Sequence, residues 1–279
     1  MTLPVVARTR AELRHALDGA GSVAFVPTMG ALHDGHVQLM KHGAPLAETL
    51  VASIFVNPTQ FAPGEDFSSY PRTMDADLER CAEAGVSVVF APEVEVMYPD
   101  GLEGGITVDP GPLGTILEGR TRPTHFRGVL TVVSKLFNLV QPDLAVFGEK
   151  DYQQLVLIRL MARQLSMGVE VIGCPTVREA DGLAMSSRNR YLTPEQREQA
   201  TVLSRALNAG VARAADGPET VLDTARRVVD ESTGFDLDYL ALTDPDLGAP
   251  VAGHEARLLI EGRAGTTRLI DNTGLTLGS

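Results

Sequence analysis

The sequence predicts an α/β protein: a doubly wound parallel sheet over residues 1–176, followed by a smaller C-terminal α+β domain over residues 177–279. Three observations carry this expectation. Short, β-branched apolar runs alternate with longer stretches of helical periodicity, the pattern of βαβ units. The most polar stretches follow directly after those apolar runs, where open parallel sheets bind their ligands. Beyond residue 175 the order changes to a polar segment, then helices, then strand-like runs, which marks a separate domain of about a hundred residues.

The first strands are read at SVAFVP (22–27) and LVASIFV (50–56), almost continuously apolar as strands buried on both faces are. Between them, residues 35–50 read as a crossover helix with Val37, Met40, Ala44 and Ala47 along one face. Further strands are read at 86–92, 143–148 and 169–175, preceded by helical stretches at 75–85, 127–140 and 152–166. The segment TVREADGLAMSSRNRYLTPEQ is irregular, with Asp181-Gly182 as a turn and Thr193-Pro194 as a helix start. Helices at 195–215 and 219–231 then lead into the strand-like runs DLDYLALTD, RLLIEGRA and TTRLIDN.

Composition bounds the function classes. With 279 residues, 44% hydrophobic and 22% charged, the chain resembles ordinary folded proteins and can build a sizeable core. A net charge of −12 argues against nonspecific binding to nucleic acid or anionic membranes, though not against a polyanion held in a local basic pocket. Cys81 and Cys174 are too few and too far apart for a disulfide framework and read as buried small apolar residues. The N-terminus carries no apolar signal core, and no apolar run reaches membrane-spanning length. The expectation is a soluble cytoplasmic protein.

Four polar loops stand at strand ends: PTMGALHDGH, NPTQF, GEKDYQQ and READGLAMSSRN. In the first, His33 and His36 flank Gly35 where a helix begins. A helix N-terminus offers unpaired N–H groups and a positive dipole end, and imidazoles there add donors, in protonated form also charge, for a phosphate. Two other readings compete. One histidine can simply cap the helix, or the H-x-x-H spacing can bind zinc, which needs further ligands not found nearby in sequence.

The H-x-G-H motif after the first strand resembles the nucleotidyltransferase superfamily related to class I aminoacyl-tRNA synthetases. PTMGALHDGH, FVNPTQF, YPRT, HFRGV, FGEKDYQQL, READGLAMSSRN and GTTRLIDN further match, in order and spacing, the pantothenate synthetase (pantoate–β-alanine ligase) family from about residue 20 to 273. Thr59, Thr124 and the run IEGRAG are small departures. The resemblance implies a Rossmann-like nucleotidyltransferase domain, with the C-terminal domain as a lid. It implies condensation of (R)-pantoate with β-alanine through a pantoyl adenylate, releasing AMP and pyrophosphate, with Mg2+ accompanying ATP and a homodimer as the working form.

On the same basis the ATP site comprises Met29, Gly30, Ala31, Leu32, His33, Asp34, Gly35 and His36. Gly148, Glu149, Lys150 and Asp151 join it, with Val177 at the adenine and Met185, Ser186, Ser187 and Arg188 over the triphosphate. His36, His33, Lys150 and Arg188 are the expected catalytic groups, a lysine and a bidentate guanidinium being suited to phosphate oxygens. Gln60 and Gln154 are expected at pantoate, Gln60 also at β-alanine, and Asp77 at magnesium. Tyr70 is expected to shape the pocket. The arginine-rich run 118–127 is either a flap or a plain surface charge cluster. Two other readings stay open: an adenylyltransferase with a phosphorylated substrate, needing a further basic pocket, and a nonenzymatic nucleotide-binding module, expected to have lost His36, Lys150 or Arg188.

Overall fold

Val23–Thr28 and its neighbours form strands because β-branched and aromatic side chains fill both faces of a pleated surface, and helices cover those faces. In the computed structural model, which describes residues 2–62, 64, 65 and 67–278, the chain divides into two compact units. The first comprises Met1–Gly148 and Gln153–Cys174, the second Glu149–Tyr152 and Pro175–Ser279.

The first unit runs β1 (Val5–Ala7), α1 (Arg10–Ala16), β2 (Val23–Thr28), α2 (Asp34–Gly43), β3 (Thr49–Ile54), α3 (Met74–Glu83) and β4 (Val88–Phe90). It continues with α4 (Val94–Met97), α5 (Glu118–Thr121), α6 (His125–Val140), β5 (Leu144–Gly148), α7 (Tyr152–Gln164) and β6 (Glu170–Cys174). The six strands are parallel in the order β1-β4-β3-β2-β5-β6. The order reverses between β2 and β5, so the switch point at which such sheets bind ligands lies at their carboxyl ends. Ala24, Val26, Ala52, Val89 and Val146 of the strands close one buried layer with Met40 of α2 and Cys81 of α3. On the other face Phe25 meets Phe137 of α6 edge-on, and Phe137 meets Phe147 likewise.

The second unit holds α8 (Pro194–Ala200), α9 (Val202–Val211), α10 (Pro218–Asp230), β7 (Phe235–Thr243), β8 (Glu255–Ala264) and β9 (Thr267–Thr276). Its three strands form an antiparallel sheet in sequential order, and Leu203, Leu207, Val221 and Ala225 of the helices pack with Leu258 and Ile260 into a separate core.

Three differences from the sequence expectation have local causes. The helix expected over 35–50 stops at Gly43 and tightens into a 3-10 turn, Ala44–Leu46, because Pro45 has no N–H to continue it. The helix expected over 195–215 is broken at Thr201, whose hydroxyl donates to the Glu198 carbonyl, and it ends at Val211. β1, α1 and the short helices α4 and α5 are additional; Thr9 and Glu12 form a reciprocal capping box that the T-x-x-E spacing already carries.

Candidate active site

At the end of β2 the Thr28 hydroxyl donates to the Ser53 carbonyl at 2.6 Å and accepts from the Gly30 amide at 3.2 Å. Gly30 (φ +80) and Ala31 (φ +50) then turn the chain through the left-handed region, and a Cβ on Gly30 would lie 3.0 Å from an Asp77 carboxylate oxygen. Asp77, in the first turn of α3 and 2% exposed, accepts from the Ala31 amide at 3.0 Å and the Leu32 amide at 2.7 Å. Both carboxylate oxygens are thereby engaged, and no group of three or more His, Cys, Asp or Glu able to hold a metal occurs among the described residues. The carboxylate braces the turn that runs from Met29 to Leu32. Its charge, after burial, also pushes the Cys81 thiol up to about 12.

His33 is the N-cap of α2. Its Nδ1 accepts from the Gly35 amide at 3.2 Å, and the Nδ1 of His36 accepts from the His33 amide at 3.3 Å, a capping box made of two imidazoles. The rings lie 4.0 Å apart between centroids. Because each Nδ1 is an acceptor, each proton resides on Nε2. A proton on either Nδ1 would break a cap. Asp34, in the same turn, pairs with Arg80 of α3 on the surface at 2.5 Å.

The NPTQF loop is brought to this turn directly: Gln60 Nε2 donates to the Met29 sulfur at 2.9 Å. Asn57, 1% exposed, organises the loop. Its Oδ1 accepts from the Tyr98 hydroxyl at 2.7 Å and the Thr59 hydroxyl at 3.0 Å, while Nδ2 donates to Gln60 Oε1 and the Gly128 carbonyl, each at 3.2 Å. A Cβ on Gly128 would lie 2.2 Å from the Thr59 carbonyl, so only glycine lets α6 approach so closely.

The 118–127 run is no loose charge cluster. Arg122 binds Glu65 bidentately at 2.7 and 2.6 Å and donates to the Gln60 carbonyl at 3.2 Å, with His125 Nδ1 3.0 Å from the same carbonyl. Burial opposes both charges, yet the mutual bonding wins: Glu65 is held below the usual carboxylate range and Arg122 above its own. Tyr70 is buried with its ring 6.0 Å from that of Phe61. Gln154 stands half-buried in the first turn of α7. Its neighbour Gln153 is the deeper one, donating to the Leu113 and Ile116 carbonyls at 2.7 and 2.9 Å. A Cβ on Gly148 would meet only Leu39, at an ordinary 3.8 Å, so the protein itself leaves room there.

In the second unit, Glu149–Asp151 form a single 3-10 turn, with Lys150 Nζ 3.7 Å from Asp151 Oδ2. Val177 and Met185 are joined by the Met185 amide donating to the Val177 carbonyl at 2.9 Å. Ser186 caps the 3-10 helix Ser187–Tyr191 by accepting from the Arg188 amide at 3.3 Å. Asn189, buried, donates to Glu179 at 2.7 Å and to the Ala184 carbonyl at 3.0 Å, so the segment carrying Ser186, Ser187 and Arg188 is firmly tethered. Asn57, Arg122, His125 and Gln153 are not among the residues expected at the site, although each lies in a stretch the sequence singles out: NPTQF, the arginine-rich run 118–127 and FGEKDYQQL.

A model of the family described as Pantoate-beta-alanine ligase matches residues 4–274. The chain belongs to that family. A pantothenate synthetase of Nocardioides sp. (strain ATCC BAA-499 / JS614) is 55% identical over 99% of this chain and 86% of its own. The solved structure of pantothenate synthetase from Thermus thermophilus superposes with a TM-score of 0.90 at 49% identity, covering 96% of this chain and 98% of that one. A family member from Francisella tularensis, solved in complex with beta-gamma ATP and beta-alanine, matches with a TM-score of 0.79 at 32% identity over 97% of both chains.

Proposed function

We propose that this chain condenses (R)-pantoate with β-alanine at the expense of ATP, forming pantothenate, the precursor of coenzyme A. The observation that carries the reading is the histidine cap: two imidazoles whose Nδ1 atoms are committed to α2 keep their Nε2 protons as donors at a helix N-terminus. That arrangement suits charge developing on a phosphate. Membership of the family supports the same activity.

In the first step a pantoate carboxylate oxygen bonds to the α-phosphorus of ATP and the bond to the β-phosphate bridging oxygen breaks, giving pantoyl adenylate and pyrophosphate. In the second, the β-alanine nitrogen bonds to the acyl carbon, the carbon–oxygen bond to AMP breaks, and the amine loses a proton. His33 and His36 donate to phosphate oxygens, and Met29 to His36 line the nucleotide. Gly148 to Asp151, with Lys150 as the cation, and Val177 with Met185 to Arg188 complete the nucleotide contacts. Gln60 and Gln154 orient pantoate through neutral amides, which leave its carboxylate nucleophilic, and Gln60 also receives β-alanine. Magnesium enters with the triphosphate as part of the substrate. The domain division near residue 176, the lid role of the C-terminal domain, a homodimeric working form and a cytoplasmic location are further parts of this reading, supported by the family resemblance.

The test is exchange of labelled pyrophosphate into ATP, expected to need pantoate and not β-alanine. Exchange seen only with β-alanine present refutes the two-step order. His36→Ala and Lys150→Ala should each slow it by about 10²–10³, the usual effect of removing a preorganised donor.

A further inference from the structure

The run GTTRLIDN has no part in the roles above, yet Asp271 and Asn272, adjacent in β9, are 2% and 3% exposed. We propose that Asn272 is a positioning residue that fixes the backbone turn carrying Lys150. This rests on the reading of Lys150 as a cation for ATP phosphate.

Asn272 Nδ2 donates to two consecutive carbonyls, Glu149 at 2.9 Å and Lys150 at 2.8 Å. Its Oδ1 accepts from Arg257 Nε at 2.7 Å, which settles the amide's orientation, since the flipped form would set oxygen against two carbonyls and NH2 against a guanidinium. Arg257 is fixed in turn by Glu149 Oε2 at 2.8 Å and by stacking 4.0 Å above the Tyr152 ring. A three-residue 3-10 turn has too few internal bonds to hold itself. Here its carbonyls, one acidic side chain and the residue that follows it are all tied to β8 and β9.

The adjacent Asp271 extends the brace. It accepts from the Asn272 amide at 2.7 Å and holds Arg178 at 2.6 and 3.0 Å, beside Val177. One dipeptide therefore anchors both nucleotide-binding segments of this unit. Asparagine meets the requirement at 272, whereas aspartate has no donors for the two carbonyls and an apolar isostere takes this partner from both.

The test compares Asn272→Asp, which keeps the side-chain volume and the acceptor for Arg257, with Asn272→Ala, Lys150→Ala and the double variant Lys150→Ala/Asn272→Ala. Three quantities are read: pantoate-dependent pyrophosphate exchange, pantothenate formation from supplied pantoyl adenylate with β-alanine, and hydrogen exchange of residues 148–154. Both Asn272 variants should lose about 10²-fold in pyrophosphate exchange, the effect of displacing a reacting group by an ångström. Hydrogen exchange at 148–154 should rise, and consumption of supplied adenylate should stay within about twofold. The double variant should be no slower than Lys150→Ala alone, again within about twofold, because coupled residues are not additive. Multiplied losses in the double variant, or equal loss in both half-reactions, overturn the inference. Native exchange in the Asn272 variants with a slow Lys150→Ala overturns it and leaves the lysine reading intact. Native exchange in Lys150→Ala overturns both. Should Asn272→Ala not fold, Asn272→Asp and the double variant Lys150→Ala/Asn272→Asp carry every comparison.

Discussion

Replacing Asp77 with asparagine isolates the bracing of the Met29–Leu32 turn from any contribution to metal. The carboxylate accepts two amides, Ala31 at 3.0 Å and Leu32 at 2.7 Å, in a site only 2% exposed. Asparagine can accept one of them and must turn its own NH2 toward the other. The retained bond drops from charge-assisted to neutral, a loss of about 1 kcal/mol, and the other becomes an unpaired buried donor costing about 1–3 kcal/mol. The sum, about 2–4 kcal/mol, is a large part of the ~5–15 kcal/mol that holds a domain folded, yet leaves it folded. The released turn also frees Ala31 from φ +50, a conformation that a non-glycine residue adopts at a cost of about 1–2 kcal/mol. Its relaxation would drag His33 out of register. Urea unfolding should therefore show the loss in midpoint, and pyrophosphate exchange should slow at every magnesium concentration, with the half-saturating magnesium unchanged. Unchanged stability, or activity restored by excess magnesium, would refute the bracing argument and return Asp77 to the metal.

Gly128→Ala places a Cβ 2.2 Å from the Thr59 carbonyl, so α6 and the NPTQF loop must separate; the Michaelis constant for pantoate should rise far more than the melting temperature falls, and equal substrate affinity would contradict the packing. Gln60→Glu sets a charge beside the substrate carboxylate and should weaken pantoate use while sparing ATP, whereas equal loss for both substrates would indicate a collapsed pocket. Glu65 is held below its ordinary range, so its pairing with Arg122 contributes stability above the unfolded glutamate range and loses it as pH falls through the lower folded value. Unfolding followed from about pH 5 to 3 should accordingly flatten in Arg122→Ala relative to the parent, and identical profiles would dismiss the clamp. The Cys81 thiol, pushed up to about 12 by burial and then by Asp77, should resist thiol reagents near pH 8 until the chain is unfolded, and rapid native labelling would contradict its burial.

What the sequence displays locally, the structure keeps. β2, β3 and β5 announce themselves by almost continuous apolar runs, and α6 and α7 by their periodicity, because burial on both faces of a strand leaves a compositional mark. β1, three residues long, leaves almost none; its place beside β4 is a pairing across more than eighty residues that no local pattern encodes. The site divides in the same way. His33, His36, Lys150 and Arg188 stand in motifs whose residue types signal phosphate chemistry. Asn57, Asp77 and Asn272 do their bonding through partners far along the chain, and an asparagine or aspartate in a sequence reads as a turn former until the fold supplies those partners.

The histidine cap divides one ring between two masters. Nδ1 belongs to the polypeptide, as fixed as any backbone acceptor, and the aromatic frame carries that fixity across to Nε2 without a rotatable bond between them. An asparagine could imitate the near nitrogen and a glutamine the far one, but neither spans both. A short side chain preserves the helix start and surrenders the reach, whereas a long flexible one recovers the reach with torsional freedom to quench. Imidazole is the smallest rigid bracket among the side chains that can join a scaffold bond to a second one, and this turn holds two of them, their rings tilted by 40°.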